Sequence, residues 1–372
     1  MLKTAKLSDN TSVDRLSQLW ADRYIPDLST LSFGESRFNV SELIQAASPE
    51  GRAQTIAKLD RMVELRCQCA GIKTNIIFSY IPNIVNLTES RGIAKAVTEV
   101  YQKILEVYQQ VTLSASLATL SPITIDVSTD AFRSSVMPGL GLSEVKQLAT
   151  ILEPVLLEFQ EQHLVSRDRR TTGFMSTQFH LSSKLVLNRL TLPEQLLLSP
   201  YFKFVEEQVC IPWQRVCAAA IKHDLNSPIL ALVEQMLPVS QKIAKRVHRQ
   251  AALLYPNHRS TRGLLSHSGV KASSIRDIEM FQAYLWLSAL EGNMTAIEKE
   301  LLPLCMMVFP SIDVSWELVE QLLPLLVAEI EAHLLPAQMR LLLPYTQAMQ
   351  QLFCDLETKA AEGAKSYFLL IS

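Results

Sequence analysis

Ser274, Arg276 and Asp277 set a hydroxyl, a guanidinium and a carboxylate within one short stretch of chain. A planar guanidinium grips carboxylates or phosphates through paired N–H bonds, and a carboxylate accepts hydrogen bonds from N–H groups. On a helix, positions two apart point to different sides, so Ser274 and Arg276 cannot act as one surface. Ser274 and Asp277, three apart, share a face. The same residues also fit a plain structural role. Ser274 is placed to cap a helix running from about Ala272 to Glu291. Asp277 then suits the positive end of its dipole, and Arg276 can pair with a neighbouring carboxylate.

No other constellation carries chemistry. The chain has no Gly-x-Gly-x-x-Gly, no Gly-Lys-Thr/Ser phosphate loop, no His-Glu-x-x-His and no Gly-x-Ser-x-Gly. Its histidines are scattered, and His180 and His248 read as surface or satisfied interior residues. Of the cysteines only Cys67 and Cys69 are close. Two apart on a helix, they face different sides and read as reduced thiols rather than metal ligands. Glu206-Glu207 reads as a solvated helix face. The chain is not expected to be an enzyme or to hold a metal.

One charge pattern stands apart. From Lys242 through Arg276 there is no Asp or Glu, while Lys242, Lys245, Arg246, Arg249, Arg259, Arg262, Lys271 and Arg276 fall in that window. A basic helix end and the loop expected at Pro256–Val270 can hold carboxylates or phosphates, face an acidic protein, or form an ordinary solvated surface. Without interleaved aromatics or a reading helix, nucleic acid is not the expected partner.

The elements that position these residues are helices. Glycine is scarce, at 11 in 372 residues, and straight-chain residues abound, which favours helix over turn-rich β structure. Ser48-Pro49 caps a helix expected to run to about Ala70 and stop at Gly71. Another spans Thr88 to Val111, burying Ile93, Val97, Val100, Tyr101, Ile104, Leu105 and Tyr108. Thr74–Ile81 fits either a strand or a buried helical turn. Residues 111–142 read as a long loop or interruption between helical layers. Ser143 caps a helix to His163, and Thr191–Glu194 is a capping box. Further helices are expected at Ser227–Tyr255, Met294–Val308, Asp313–His333 and Pro336–Glu357.

The length suggests two domains, and the polar tract Ser166–Gly173 marks the boundary, giving domains 1–170 and 171–372. A net charge of −2 directs the whole chain to no polyanion. Met1–Lys6 lacks the apolar core of a signal peptide, and the most apolar runs are too short to span a bilayer. A soluble, cytoplasmic, not membrane-spanning protein is expected.

Lys271-Ala272-Ser273-Ser274-Ile275-Arg276-Asp277-Ile278-Glu279-Met280, with Tyr284 and then Leu290-Glu291-Gly292-Asn293, resembles the bilin-attachment region of the phycobiliproteins. That family typically reads Ala-Cys-x-Arg-Asp-Met/Ile-Glu-Ile and then Leu-x-Gly-Asp. Leu254-Tyr255-Pro256, Ala296-Ile297-Glu298, Val308-Phe309-Pro310 to Trp316, and Leu198-Ser199-Pro200 through Cys217 are similar to its flanking helices. The resemblance covers about residues 195–355.

It implies an all-α chain with a globin-like C-terminal domain beside a helical N-terminal domain of unknown relationship. It implies a pigment site at Ser274, Arg276 and Asp277, with Lys271 and Tyr284 alongside. In the family a cysteine forms the thioether to the bilin, an arginine pairs with a propionate, and an aspartate accepts from the pyrrole nitrogens. Ser274 replaces that cysteine and cannot form the bond. The resemblance therefore implies a protein without covalent chromophore in a cyanobacterial cytoplasm. Such a protein would act through protein partners of the phycobilisome, or through copies of itself, as scaffold, assembly factor or regulator, with no cofactor. The alternative is a sensor binding a bilin or other tetrapyrrole non-covalently near Arg276 and Asp277. A chromophore lyase is a weaker third, since no base or nucleophile is identifiable.

Overall fold

A computed structural model describes residues 16–369 except 17, 22, 27, 29–30, 32–33, 80–84, 112–114, 143–144, 164–170, 262 and a few side chains, including all beyond 354. The chain forms two compact units, residues 1–218 and 219–372. Both are built from helices, with two short two-stranded ladders as the only sheet among the described residues.

In the first unit β1 (Arg37–Asn39) runs into α1 (Val40–Ala47), where Asn39 Oδ1 accepts from Ser41 N at 2.9 Å. Ser48 Oγ then caps α2 (Pro49–Asp60) by accepting from Gly51 N at 3.0 Å, with Pro49 in the first turn as its fixed φ favours. The helix expected to stop at Gly71 instead breaks earlier, at Arg61–Met62. It resumes as α3 (Val63–Ile77) and passes straight through Gly71. A Cβ there would meet Gln178 Oε1 at 3.4 Å, an ordinary contact, so this glycine is a packed helix residue rather than a stop. Thr74–Ile77 is accordingly helical, not a strand.

α4 (Leu87–Gln110), capped by Asn86 Oδ1, buries all seven apolar residues of its expected face. The segment after it is an interruption with structure of its own. It holds a helical turn at Ala115–Ala118, then β2 (Thr124–Asp126) antiparallel to β1 with Phe38 opposite Ile125, then a π turn at Phe132–Val136. α5 (Val145–His163), α6 (Thr171–Leu187) and α7 (Leu192–Cys210) complete the unit, while the expected cap Ser143 lies outside the described residues. The capping box at α7 is present: the Glu194 carboxylate accepts from Thr191 N and from Thr191 Oγ1, each at 2.9 Å.

The division at 218/219 differs from the expected 170/171. Residues 166–170 of the polar tract lie outside the described residues, and Thr171–Gly173 open α6. α6 packs on α3, and α7 packs on α6, α4 and α1, so both belong with the helices before them. Phe174 and Phe179 of α6 are fully buried there, beside Phe78 and Tyr101. α7 thus packs among residues that precede residue 195.

α8 (Trp213–Ala220) crosses the division. In the second unit the single helix expected at Ser227–Tyr255 is two: α9 (Pro228–Met236) and α10 (Ser240–Leu254), separated by a 3-10 turn at Leu237–Val239 around Pro238. A proline there withholds a backbone donor and resists the preceding turn. A hairpin follows, β3 (Arg259–Ser260) against β4 (Gly263–Leu264), with Gly263 at φ +125°, a value open to glycine. Then come α11 (Ser268–Glu291), a π turn at Ile297–Leu301, α12 (Leu302–Ser311), α13 (Trp316–Glu331) and α14 (Pro336–Leu369).

α11 is the axis of this unit. It packs against α9, α10, α14 and the π turn, and every residue from 278 to 290 is buried. Phe281 meets Phe353 of α14, which in turn stacks on Trp316 at 5.6 Å.

Candidate functional site

α11 begins six residues before Ser274. His267 is its N-cap, with Nδ1 accepting from Gly269 N at 3.3 Å. Ser274 therefore lies in the second turn and caps nothing, and Asp277 sits too far along to serve the first-turn dipole.

Ser274 looks instead across to α10. Its Oγ shares a 3.0 Å hydrogen bond with Nδ1 of His248, whose ring is buried. Burial, and then the positive charge of Lys271, hold the imidazole below its ordinary range. His248 is thus a satisfied interior histidine. The signal was in the sequence: with Ile243, Ala244, Val247 and Ala251 it completes the buried stripe of α10.

Arg276 Nη2 lies 3.7 Å from Asp277 Oδ1, and both side chains are part-exposed. The Asp277 charge also reaches Cys305 of α12. Burial first, then that negative charge, push the Cys305 thiol well above its usual range, so it stays protonated and inert. Cys305 had no sequence signal, since its proximity depends on how α12 returns past α11.

Lys271 is exposed at the start of α11. Tyr284 is ten residues beyond Ser274, about 15 Å along the axis at helical rise. It is fully buried, with its hydroxyl 3.5 Å from Glu300 Oε2. The structure brings Ser274, Arg276 and Asp277 to one turn and adds His248 and Cys305. It does not bring Tyr284 to them. The arrangement places a part-exposed cation and carboxylate at the helix edge, with the serine already engaged.

The acid-free stretch forms a second feature. Lys242, Lys245 and Arg249 are exposed along α10, while Arg246 pairs with Glu329 at 3.5 Å and Gln250 donates to Glu329 at 3.0 Å. Beyond them Leu253, Leu254 and Leu264 are exposed, with Arg259 on the same hairpin; Arg262 lies outside the described residues. Beneath, Ala251, Leu265, Val270 and Leu318 make a small core that fixes the hairpin to α10, α11 and α13.

Glu206-Glu207 is not a solvated face. Glu207 is fully buried, bonded by Arg23 at 3.2 Å, with the Arg23 guanidinium 4.7 Å over the Trp213 ring. Glu206 meets His180 Nδ1 at 3.1 Å. Among the described residues no three His, Cys, Asp or Glu side chains gather as metal ligands, and no helix is long and apolar enough to cross a membrane.

The chain matches no protein-family model, no curated protein and no solved structure.

Proposed function

We propose that this protein works through protein contacts, as a scaffold, assembly factor or regulator, and that its second unit docks an acidic partner surface. The observation that carries this is the α10 edge, where Lys242, Lys245 and Arg249 lie exposed and lead into the exposed Leu253, Leu254 and Leu264. Cations at a rim steer and orient an acidic partner, and apolar side chains beside them give the contact its strength. The setting, a light-harvesting antenna, rests on the resemblance of residues 271–293 to phycobiliproteins, as does a globin-like reading of the second unit. The test is cosedimentation of the purified chain with antenna particles at low and at physiological salt. The chain should sediment with them at low salt, and Lys242→Glu with Lys245→Glu and Arg249→Glu should abolish this without altering the circular dichroism. Indifference to the triple reversal would falsify the docking surface.

A second reading is non-covalent binding of a bilin or other tetrapyrrole, supported by the part-exposed neighbours Arg276 and Asp277. Arg276 would pair with a propionate and Asp277 would accept from pyrrole N–H groups. Biliverdin added to the purified protein should then develop a shifted visible band that Asp277→Ala removes. Acid denaturation should release the pigment, because serine forms no thioether. An unshifted spectrum overturns this reading and leaves the first untouched.

A further inference from the structure

α3 of the first unit is apolar on two sides. One side, Val63, Cys67, Ala70, Gly71 and Thr74, is buried, and α3 packs on α4 and α6. The other side is open. Met62, Leu65, Cys69, Ile72 and Ile76 follow one another at separations of 3, 4, 3 and 4, the a/d spacing of a coiled-coil seam. Leu65 is 57%, Ile72 62% and Ile76 66% exposed, with Met62 and Cys69 partly exposed between them. An exposed apolar stripe of this regularity is the kind of surface through which a helix meets another.

The flanks say what that neighbour carries. Arg66 and Lys73 occupy the e positions on one edge of α3, and Gln68 and Asn75 the g positions on the other, with Arg61 just before the helix starts. Glu64 lies farther round and accepts from Gln68 at 3.1 Å. Among the described residues no carboxylate pairs with Arg61, Arg66 or Lys73. Among the described residues Arg66 Nε is buried without an acceptor. A second copy of the seam laid antiparallel would set Arg66 against Lys73, and like charges at these positions oppose pairing.

We infer that the Met62–Ile76 seam of α3 docks an amphipathic helix of another protein, one with an apolar a/d stripe and glutamates or aspartates at its e and g positions. The contact runs about 21 Å, some four turns. Leucine and isoleucine anchors supply the burial, and the carboxylates on the partner's edges select it over basic or neutral helices. This surface is independent of the α10 edge and of the Ser274 turn.

The test uses the full chain and two labelled peptides of about three heptads, with isoleucine and leucine at a and d and either glutamate or lysine at e and g. Fluorescence anisotropy should show the glutamate peptide binding at least about tenfold more tightly than the lysine peptide. Ile72→Glu should abolish binding with an unchanged melting temperature, because that side chain is exposed. Arg66→Glu with Lys73→Glu should reverse the preference. Equal affinity for the two peptides, binding of neither, or binding that survives Ile72→Glu overturns the proposal. So does a concentration-dependent dimer in sedimentation that Ile72→Glu dissociates, which assigns the seam to a second copy. Cys69 should alkylate at the rate of a solvent-accessible thiol, and Cys69 protected in the isolated chain overturns the proposal in favour of cover by the chain itself.

Discussion

Nδ1 of His248 on α10 and Oγ of Ser274 on α11 lie 3.0 Å apart, joined by a hydrogen bond against a buried ring. The Ser274 hydroxyl is therefore committed to an interhelical contact. Ser274→Ala should leave the imidazole nitrogen without its partner and lower stability by about 1–2 kcal/mol. Ser274→Thr, which keeps the hydroxyl, should lose less. Urea denaturation of the two variants checks the order, and an equal loss would count against the bond.

The two units should weaken in different pH ranges. His248 is held below its ordinary value of 6.5, so the unfolded chain binds a proton that the folded chain refuses. Its neutral-form stability is complete above pH 6.5 and declines as pH falls from there towards the folded value. For Glu207 burial alone would raise the carboxyl, but Arg23, Lys203 and the hydrogen bond of Tyr24 outweigh it and hold it low. Glu194 is likewise held low by Lys58 and Thr191 despite burial. Their stabilisation is present above the ordinary 4.5 and is lost as pH falls through the folded values. Thermal melts should show a first loss below pH 6.5 that His248→Gln flattens and a second, acid loss that it does not. An identical profile in the variant refutes the assignment.

Arg23→Ala takes the ion-pair partner from a fully buried carboxylate and leaves it Lys203 and the Tyr24 hydroxyl. The expected loss is about 3–5 kcal/mol, larger than for Arg23→Ala with Glu207→Gln together. A double-mutant cycle by chemical denaturation measures the difference, and simple additivity would show that the pair is not coupled.

Ser288 is fully buried on α11, and among the described residues its Oγ has no hydrogen-bond partner. Ser288→Ala removes an unsatisfied hydroxyl and adds helix propensity, so it should stabilise the chain by roughly 1 kcal/mol. A lowered melting temperature would mean that the hydroxyl has an acceptor.

Much of the helical framework was readable because local chemistry specified it. Ser48-Pro49 and the Thr191–Glu194 box fix helix starts through side-chain bonds close in sequence. The apolar period of α4 announced its buried face. What went unread depended on distant partners. Gly71 looks like a stop until Gln178 of α6 arrives beside it. Ser274 looks like a cap, but His267 takes that place once the hairpin before it is formed. The strands at Arg37–Asn39 and Thr124–Asp126 are too short to show alternation and exist only through each other. The polar tract near residue 170 marks a change of composition, whereas the packing of α6 on α3 decides which helices belong together. Of the candidate site, Arg276 and Asp277 were legible as a neighbouring charge pair. The partners His248 and Cys305 were not, because they come from other helices.

The enclosure of α11 also sets a clock. Its amides between Ile278 and Leu290 meet water only when the helices around it separate together. Deuterium should therefore enter this segment at the rate of whole-unit opening, while the ends of α10 and the Arg259–Leu264 hairpin exchange by local fraying. Any partner bound to the second unit would be read at α11 as slower labelling, far from wherever it sits.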